Sequence, residues 1–268
     1  MTGTELRHIV SLSGGKDSTA LAIYLRDRLT EVEYVFSDTD KELPETYEYL
    51  DKLEAYLGQS IVRLSSEHGF DHWLKVYGGY LPSARMRWCT KVMKIKPFER
   101  YIGDAEVNMY IGIRADEDRG GYKPTKSNIH PVYPFVEAGY GLEDVHRILQ
   151  ESGISFPEYY SWRTRSGCFF CFYQQRHEWL GLKEHHPQLF EQAKAYERPE
   201  TKEALGYTWS DRESLQDLED PARQAEIRRK LEERQGAVQT GNSKKLLHIL
   251  GEEEDEGPDT LPCSFCHT

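Results

Sequence analysis

Seven residues near the start of the 268-residue chain, Ser13-Gly14-Gly15-Lys16-Asp17-Ser18-Thr19, bring glycine freedom, a cation, a carboxylate and three hydroxyls into one turn. Backbone N–H groups in such a turn converge on one spot, and the start of a following helix adds partial positive charge. A phosphate is therefore the natural occupant. Lys16 would add a mobile cation, and Ser13, Ser18 and Thr19 would add hydroxyl donors. The common P-loop has Ser or Thr directly after its lysine, where this chain has Asp17. The glycine spacing of the dinucleotide fingerprint is also absent.

Sulfur is the second chemical resource. The five cysteines are Cys89, Cys168, Cys171, Cys263 and Cys266, and the last four form two C-x-x-C pairs. An odd count in a chain too long for a disulfide miniprotein points to metal binding or sulfur chemistry. Two such pairs suit a tetrahedral zinc site, which leaves Cys89 without a role. Arg85, Arg87, Lys91, Lys94, Lys96 and Arg100 surround Cys89, and Arg163 and Arg165 precede Cys168. Those cations would either stabilise an anionic thiolate cluster or grip the phosphates of DNA or RNA. Tyr159, Tyr160, Trp162, Phe169, Phe170 and Phe172 would either pack a core or stack on bases.

Strands and helices must position these groups. The run 8–13 and the helical spacing of Ala20, Leu21, Tyr24, Leu25 and Leu29 read as strand, glycine turn, helix. Segments 32–38, 61–65 and 108–114 read as further strands, and 42–58 as a helix closed by Gly58. The alternation predicts an α/β fold with a mostly parallel, doubly wound sheet, whose ligands collect at the carboxyl ends of the strands. The expected organisation is a nucleotide-binding core over 1–150, a cysteine-containing metal or cluster segment over 151–195, and a charged helical tail over 196–268. In the tail, Ser210 and Glu213 read as a capping box, Asp220-Pro221 as a helix start that Gly236 closes, and 251–257 as a solvated linker.

Composition limits the classes open to this chain. A hydrophobic fraction of 38% with 12% aromatics supports a packed core and argues against disorder. No apolar run reaches the roughly 18–20 residues that cross a bilayer, and the first residues carry no leader pattern. The expectation is a cytoplasmic protein with no membrane partner. The net charge of −11 argues against a general nucleic-acid binder, but most of the excess acidity lies after residue 195.

The stretch SGGKDST closely resembles the pyrophosphate-binding loop of the PP-loop ATP pyrophosphatase superfamily, the adenine nucleotide alpha-hydrolase-like enzymes. Segments 37–50, 85–98, 111–119 and 167–171 follow in the order seen in the phosphoadenylylsulfate (PAPS) reductase-like family. With Lys16 and Asp17 kept in the loop, the combination is most similar to the sulfur-transfer component of bacterial DNA phosphorothioation systems, the DndC/SspD type. The resemblance implies ATP with Mg²⁺, bound by Ser13, Gly14, Gly15, Lys16, Asp17, Ser18 and Thr19. It also places Asp38 beside the nucleotide and Arg114 at a phosphate or sulfate group. ATP would be cleaved between its alpha and beta phosphates, with Lys16 and Asp17 catalytic.

The same resemblance implies a [4Fe–4S] cluster on Cys89, Cys168 and Cys171, completed by Cys263 or Cys266 or left with an open iron, with Zn²⁺ as the alternative. Here Trp88 stands where the family has a further cysteine. A DNA or RNA acceptor, a sulfur donor such as a cysteine desulfurase, and other subunits of a modification complex are the implied partners. The ending Cys-Ser-Phe-Cys-His-Thr resembles the mobile terminus of sulfonucleotide reductases and makes Cys266 a candidate nucleophile. The alternatives are therefore a sulfonucleotide reductase using Cys266 and a non-catalytic nucleotide-sensing subunit.

Overall fold

The structure, a computed structural model, describes residues 6–198, 206–210 and 213–239. They gather into two compact units, one from 6–75 and 88–168, the other from 76–87 and the described residues after 168.

The first unit is a five-stranded sheet. Its strands are β1 (Arg7–Leu12), β2 (Val32–Asp38), β3 (Ile61–Ser65), β4 (Val107–Tyr110) and β5 (Ile129–Val132). They run in the order β3-β2-β1-β4-β5, and every pairing is parallel. Its helices are α1 (Lys16–Arg26), α2 (Pro44–Leu57), α3 (Phe70–Val76), α4 (Lys96–Ile102), α5 (Pro134–Ala138) and α6 (Leu142–Ser152). A π-helical turn, Thr90–Ile95, leads into α4, and a 3₁₀ turn covers Glu158–Ser161.

Strand alternation divides the apolar residues between two faces. Val10, Leu12, Tyr34, Phe36 and Tyr110 pack with Leu21 and Leu25 of α1, Leu50 and Leu53 of α2, and Val145 and Leu149 of α6. Ile9, Val35 and Met109 share the opposite register and are fully or almost fully buried. On that side the π-helical turn packs against β2 and β3, and α4 against β3. The sheet is therefore doubly wound. Because β2 and β3 extend one way from β1 while β4 and β5 extend the other, the chain reverses between β1 and β4. Ligands of such sheets bind at that crevice.

The anticipated strands at 32–38 and 61–65 match β2 and β3. The fourth ends at Tyr110 instead of continuing to Arg114: Ile111 N–H makes the last ladder bond, to Val132 O, and Ile113 N–H then turns back to Ile111 O. Strand β5 gave no clear signal, since Pro131 interrupts it; an edge strand tolerates proline because one side needs no ladder donor.

The second unit contains α7 (Arg176–His185), α8 (Pro187–Tyr196) and α9 (Pro221–Gln239). Phe170 stacks on Trp209 with centroids 5.0 Å apart, and Trp209 Nε1–H donates to Ala193 O at 2.9 Å. Two tail expectations are corrected here. Ser210 and Glu213 pair as an antiparallel bridge, and the Glu213 carboxylate is taken by Arg176 and Arg223. The reciprocal cap lies further along the chain, where Ser214 N–H donates to Asp217 Oδ2 and Asp217 N–H to Ser214 Oγ. Gly236 does not close α9, which runs to Gln239; an interior glycine costs only about 1 kcal/mol against alanine. The acidic run 251–257 lies outside the described residues. Among the described residues, no helix is long and apolar enough to cross a membrane.

Candidate nucleotide site

The site forms where β1 hands over to α1. Gly14 adopts φ +73°, and a Cβ there would lie 2.6 Å from Thr46 Cγ2, so both the backbone and the space require glycine. Ser13 N–H donates to Ser18 Oγ at 3.2 Å, and the Ser18 hydroxyl donates to Gly15 O at 3.1 Å. Ser13 Oγ lies 3.1 Å from Ser18 Oγ and 3.1 Å from the Ser166 hydroxyl. Ser18 and Thr19 are almost completely buried. The hydroxyl of Ser18 thus fixes the turn from within.

Charge is concentrated on the first turn of α1. The Asp17 carboxylate accepts Lys16 Nζ at 2.9 Å on one oxygen and Arg114 Nη1 at 2.8 Å on the other. Burial by itself raises the Asp17 pKa, but Lys16 and Arg114 more than offset it and hold the carboxyl below its ordinary value. Arg114 also donates from Nε to Asp116 Oδ1 at 2.8 Å and lies 3.3 Å from Glu117, whose other oxygen takes Arg119. Burial lowers the Arg114 pKa, and Asp17 and Glu117 reverse that, so the guanidinium stays charged.

The structure brings the loop, Lys16, Asp17 and Arg114 together. Asp38 serves its own turn: Oδ1 accepts Asp40 N–H at 2.9 Å and the Tyr47 hydroxyl at 2.8 Å, and Asp40 adopts φ 58°.

Several contributors escaped the sequence reading. A Cβ at Gly112 would lie 3.0 Å from the backbone carbon of Asp17 and 3.1 Å from Ser18 N, so this glycine lets the chain after β4 lie against the start of α1. An isolated glycine at a strand end is the available signal for such an approach. The Tyr159 hydroxyl donates to Gly14 O at 2.7 Å, and Lys16 N–H donates to the Tyr160 hydroxyl at 3.2 Å. These partners lie more than 140 residues from the loop, and no local pattern announces them.

The described cysteines are Cys89 and Cys168 in the first unit and Cys171 in the second; none forms a disulfide. Cys168 Sγ lies 3.0 Å from Thr39 Oγ1 and 3.6 Å from Glu42 Oε1. Burial raises the Glu42 pKa, partly countered by Lys94 and the Thr39 hydroxyl. The Arg163 guanidinium donates to Gly167 O and Cys168 O at 2.9 and 2.8 Å. Among the described residues, no three of His, Cys, Asp and Glu come together so as to hold a metal ion. Of the cluster ligands implied by the resemblance, Cys89 and Cys168 belong to the first unit and Cys171 to the second among the described residues. Cys263 and Cys266 lie outside them. Tyr159, Phe169 and Phe170 are buried, which removes them as platforms for bases.

A doubly wound parallel sheet with a glycine loop at its switch point defines an α/β domain of nucleotide-binding type. Residues 7–137 match the family described as "Phosphoadenosine phosphosulfate reductase domain". Sheet, loop and match together support the PP-loop, adenine nucleotide alpha-hydrolase class. An uncharacterised protein of Methanocaldococcus jannaschii is 29% identical over 195 residues, covering 68% of this chain and 40% of its own length. The chain spans less than half the length of the first two such relatives. An uncharacterised protein of Escherichia phage 186 is 25% identical over 253 residues, covering 71% of this chain and 74% of that protein. The phosphoadenosine 5'-phosphosulfate reductase of Vibrio atlanticus is 23% identical over 155 residues, 56% of this chain and 60% of the reductase. The phosphate complex of Candida auris PAPS reductase superposes with a TM-score of 0.47 at 16% identity, over 62% of this chain and 81% of that one.

Proposed function

We propose that this protein is an ATP pyrophosphatase: the loop 13–19 with Arg114 holds the phosphates of ATP, and the enzyme transfers AMP to an acceptor oxygen. The observation that carries this reading is the Lys16–Asp17–Arg114 arrangement on the first turn of α1. Asp17 holds the Lys16 ammonium beside the loop amides. When the beta and gamma phosphates arrive, Lys16 turns from the carboxylate to them, and Arg114 keeps Asp17 neutralised. The acceptor oxygen attacks the alpha phosphorus, the bond to the bridging oxygen breaks, and pyrophosphate leaves with its charge met by Lys16 and the loop amides. Mg²⁺ enters as part of the substrate, MgATP.

The acceptor suggested by the resemblance is a backbone phosphate oxygen of DNA or RNA. Once adenylated, that oxygen departs with AMP when a sulfur nucleophile attacks the acceptor phosphorus. The sulfur comes from a separate donor, such as the persulfide of a cysteine desulfurase, within a modification complex; the P–S–S bond so formed is then cleaved by a reducing thiol, which leaves the phosphorothioate and a disulfide on the donor. The test is pyrophosphate release from ATP with candidate acceptors. Lys16→Ala should lower it at least about 100-fold, in the range of a lost charge-stabilising donor. A wild-type rate in that variant refutes the reading.

The match of residues 7–137 to the reductase domain favours a second reading, a sulfonucleotide reductase in which the Cys266 thiolate attacks the sulfonucleotide sulfur, displaces the nucleotide phosphate, and gives a Cys266 S-sulfonate from which thioredoxin, as electron donor, releases sulfite. Sulfite release that is lost in Cys266→Ser would support it. Tight ATP binding without turnover under any acceptor would instead mark a nucleotide-sensing subunit. Iron, sulfide and zinc analysis of anaerobically purified full-length chain decides what its five cysteines hold together.

A further inference from the structure

We propose that Tyr160 is a phosphate-binding residue of this site, giving its hydroxyl proton to the same ligand oxygen that the Lys16 amide binds. The inference rests on the phosphate-loop reading above and assigns it a donor from outside the loop.

The hydroxyl of Tyr160 accepts Lys16 N–H at 3.2 Å. That amide belongs to the first turn of α1, where N–H groups have no helical acceptor and face an incoming anion. Among the described residues, no oxygen accepts the proton of Tyr160, so its donor capacity is unused. Burial, with the charge of Asp17 nearby, pushes its pKa above the ordinary value and keeps the phenol protonated at any working pH.

The neighbouring contacts hold the phenol in place. A Cβ on Gly15 would lie 3.1 Å from the Tyr160 hydroxyl, so the phenol sits directly against the loop. The Lys16 ammonium lies 5.4 Å from the Tyr160 ring centroid, which keeps both donors on one side of the turn. Tyr159 holds the Gly14 carbonyl through a 2.7 Å hydrogen bond and so fixes the orientation of that peptide. An anion oxygen about 2.8 Å from both the phenol and the Lys16 nitrogen forms a near-equilateral triangle with them at their present separation. Binding therefore has the Lys16 N–H shared between the phenol oxygen and the ligand oxygen in a three-centre bond. The ligand class is a pyrophosphate group, free or in a nucleoside triphosphate.

The test is isothermal titration of the full chain and of Tyr160→Phe with inorganic pyrophosphate and with ATP. The expected result is a loss of about 10- to 100-fold in affinity for both ligands, the range for one hydrogen bond to a charged group. Equal affinity would show the phenol to be packing only, and tighter binding would show it to be a plug; either overturns the proposal and leaves the loop reading intact. Failure of the unsubstituted chain to bind either ligand refutes the loop reading itself. A second measurement does not depend on the variant folding: 3-fluorotyrosine placed at position 160 should show a ¹⁹F shift that saturates with pyrophosphate. An unmoved resonance under saturation overturns the proposal.

Discussion

Replacing Asp17 by Asn keeps the shape of the side chain and removes the one charge that Lys16 and Arg114 share. Asp17 is 13% exposed and Arg114 10%, so screening by water is weak. Breaking a buried pair by deleting one partner costs about 3–5 kcal/mol. Arg114 keeps Asp116 and Glu117, which places the expected loss at the lower end, about 3 kcal/mol. At roughly 2–4 °C per kcal/mol for a chain of this size, the midpoint should fall by about 6–12 °C. The assay is calorimetric unfolding near pH 7 with and without inorganic pyrophosphate. Ligand at about 100 times its Kd for the variant should return about 2.7 kcal/mol by mass action. The pH dependence has a definite sign. The Asp17 pKa is lowered on folding, so its contribution is complete above the unfolded value and is lost as pH falls through the folded one. The gap between wild type and Asp17→Asn should therefore close below about pH 4. Equal midpoints near neutrality, or a gap that persists unchanged into strong acid, would refute the assignment of this carboxylate as the keystone of the site.

Three further substitutions probe other parts of the architecture. Gly112→Ala puts a methyl about 3.0 Å from the Asp17 backbone, which must move; pyrophosphate affinity should drop at least about 10-fold, checked by titration. Arg163→Ala leaves the carbonyls of Gly167 and Cys168 without their charged donor and should cost about 3 kcal/mol in urea unfolding. In the second unit, Glu213→Gln weakens the carboxylate shared by Arg176 and Arg223. A loss of about 1–3 kcal/mol is expected by the same measurement, smaller at high salt.

The parallel sheet was legible because its inner strands are buried on both faces and read as short apolar runs with little competition. Strand β2 is the clearest case, since Val32, Tyr34, Val35 and Phe36 are all buried. The loop was legible because its glycines, lysine and aspartate are contiguous. What the sequence could not show were partners brought in by topology. Tyr159, Tyr160 and Ser166 meet the loop only after five strands have been placed. Asp38, which the family resemblance places beside the nucleotide, ends β2, and its Oδ1 accepts Asp40 N–H in a turn set by the left-handed Asp40 that no local pattern announces. Phe169 and Phe170 looked equally suited to bases or to a core, and only burial separates those cases.

The charges around the loop also bear on how a phosphate would be held. Lys16, Arg114 and Arg119 face Asp17, Asp116 and Glu117, so the connected cluster is formally neutral. A site of that kind does not attract a polyanion by surplus charge, in contrast to an open basic patch whose affinity collapses as salt rises. In the proposed reading its attraction would come from the loop amides and from a lysine that can exchange one anion for another. In that reading Arg114, which donates to Asp17 from Nη1, would remain on the buried carboxylate when Lys16 departs and keep it from being left alone. Pyrophosphate binding should therefore depend on salt by little more than the single charge that Lys16 transfers, a slope near one in a plot of log affinity against log salt. A slope of several units would show that the basic residues elsewhere in the chain, and not this exchange, hold the ligand.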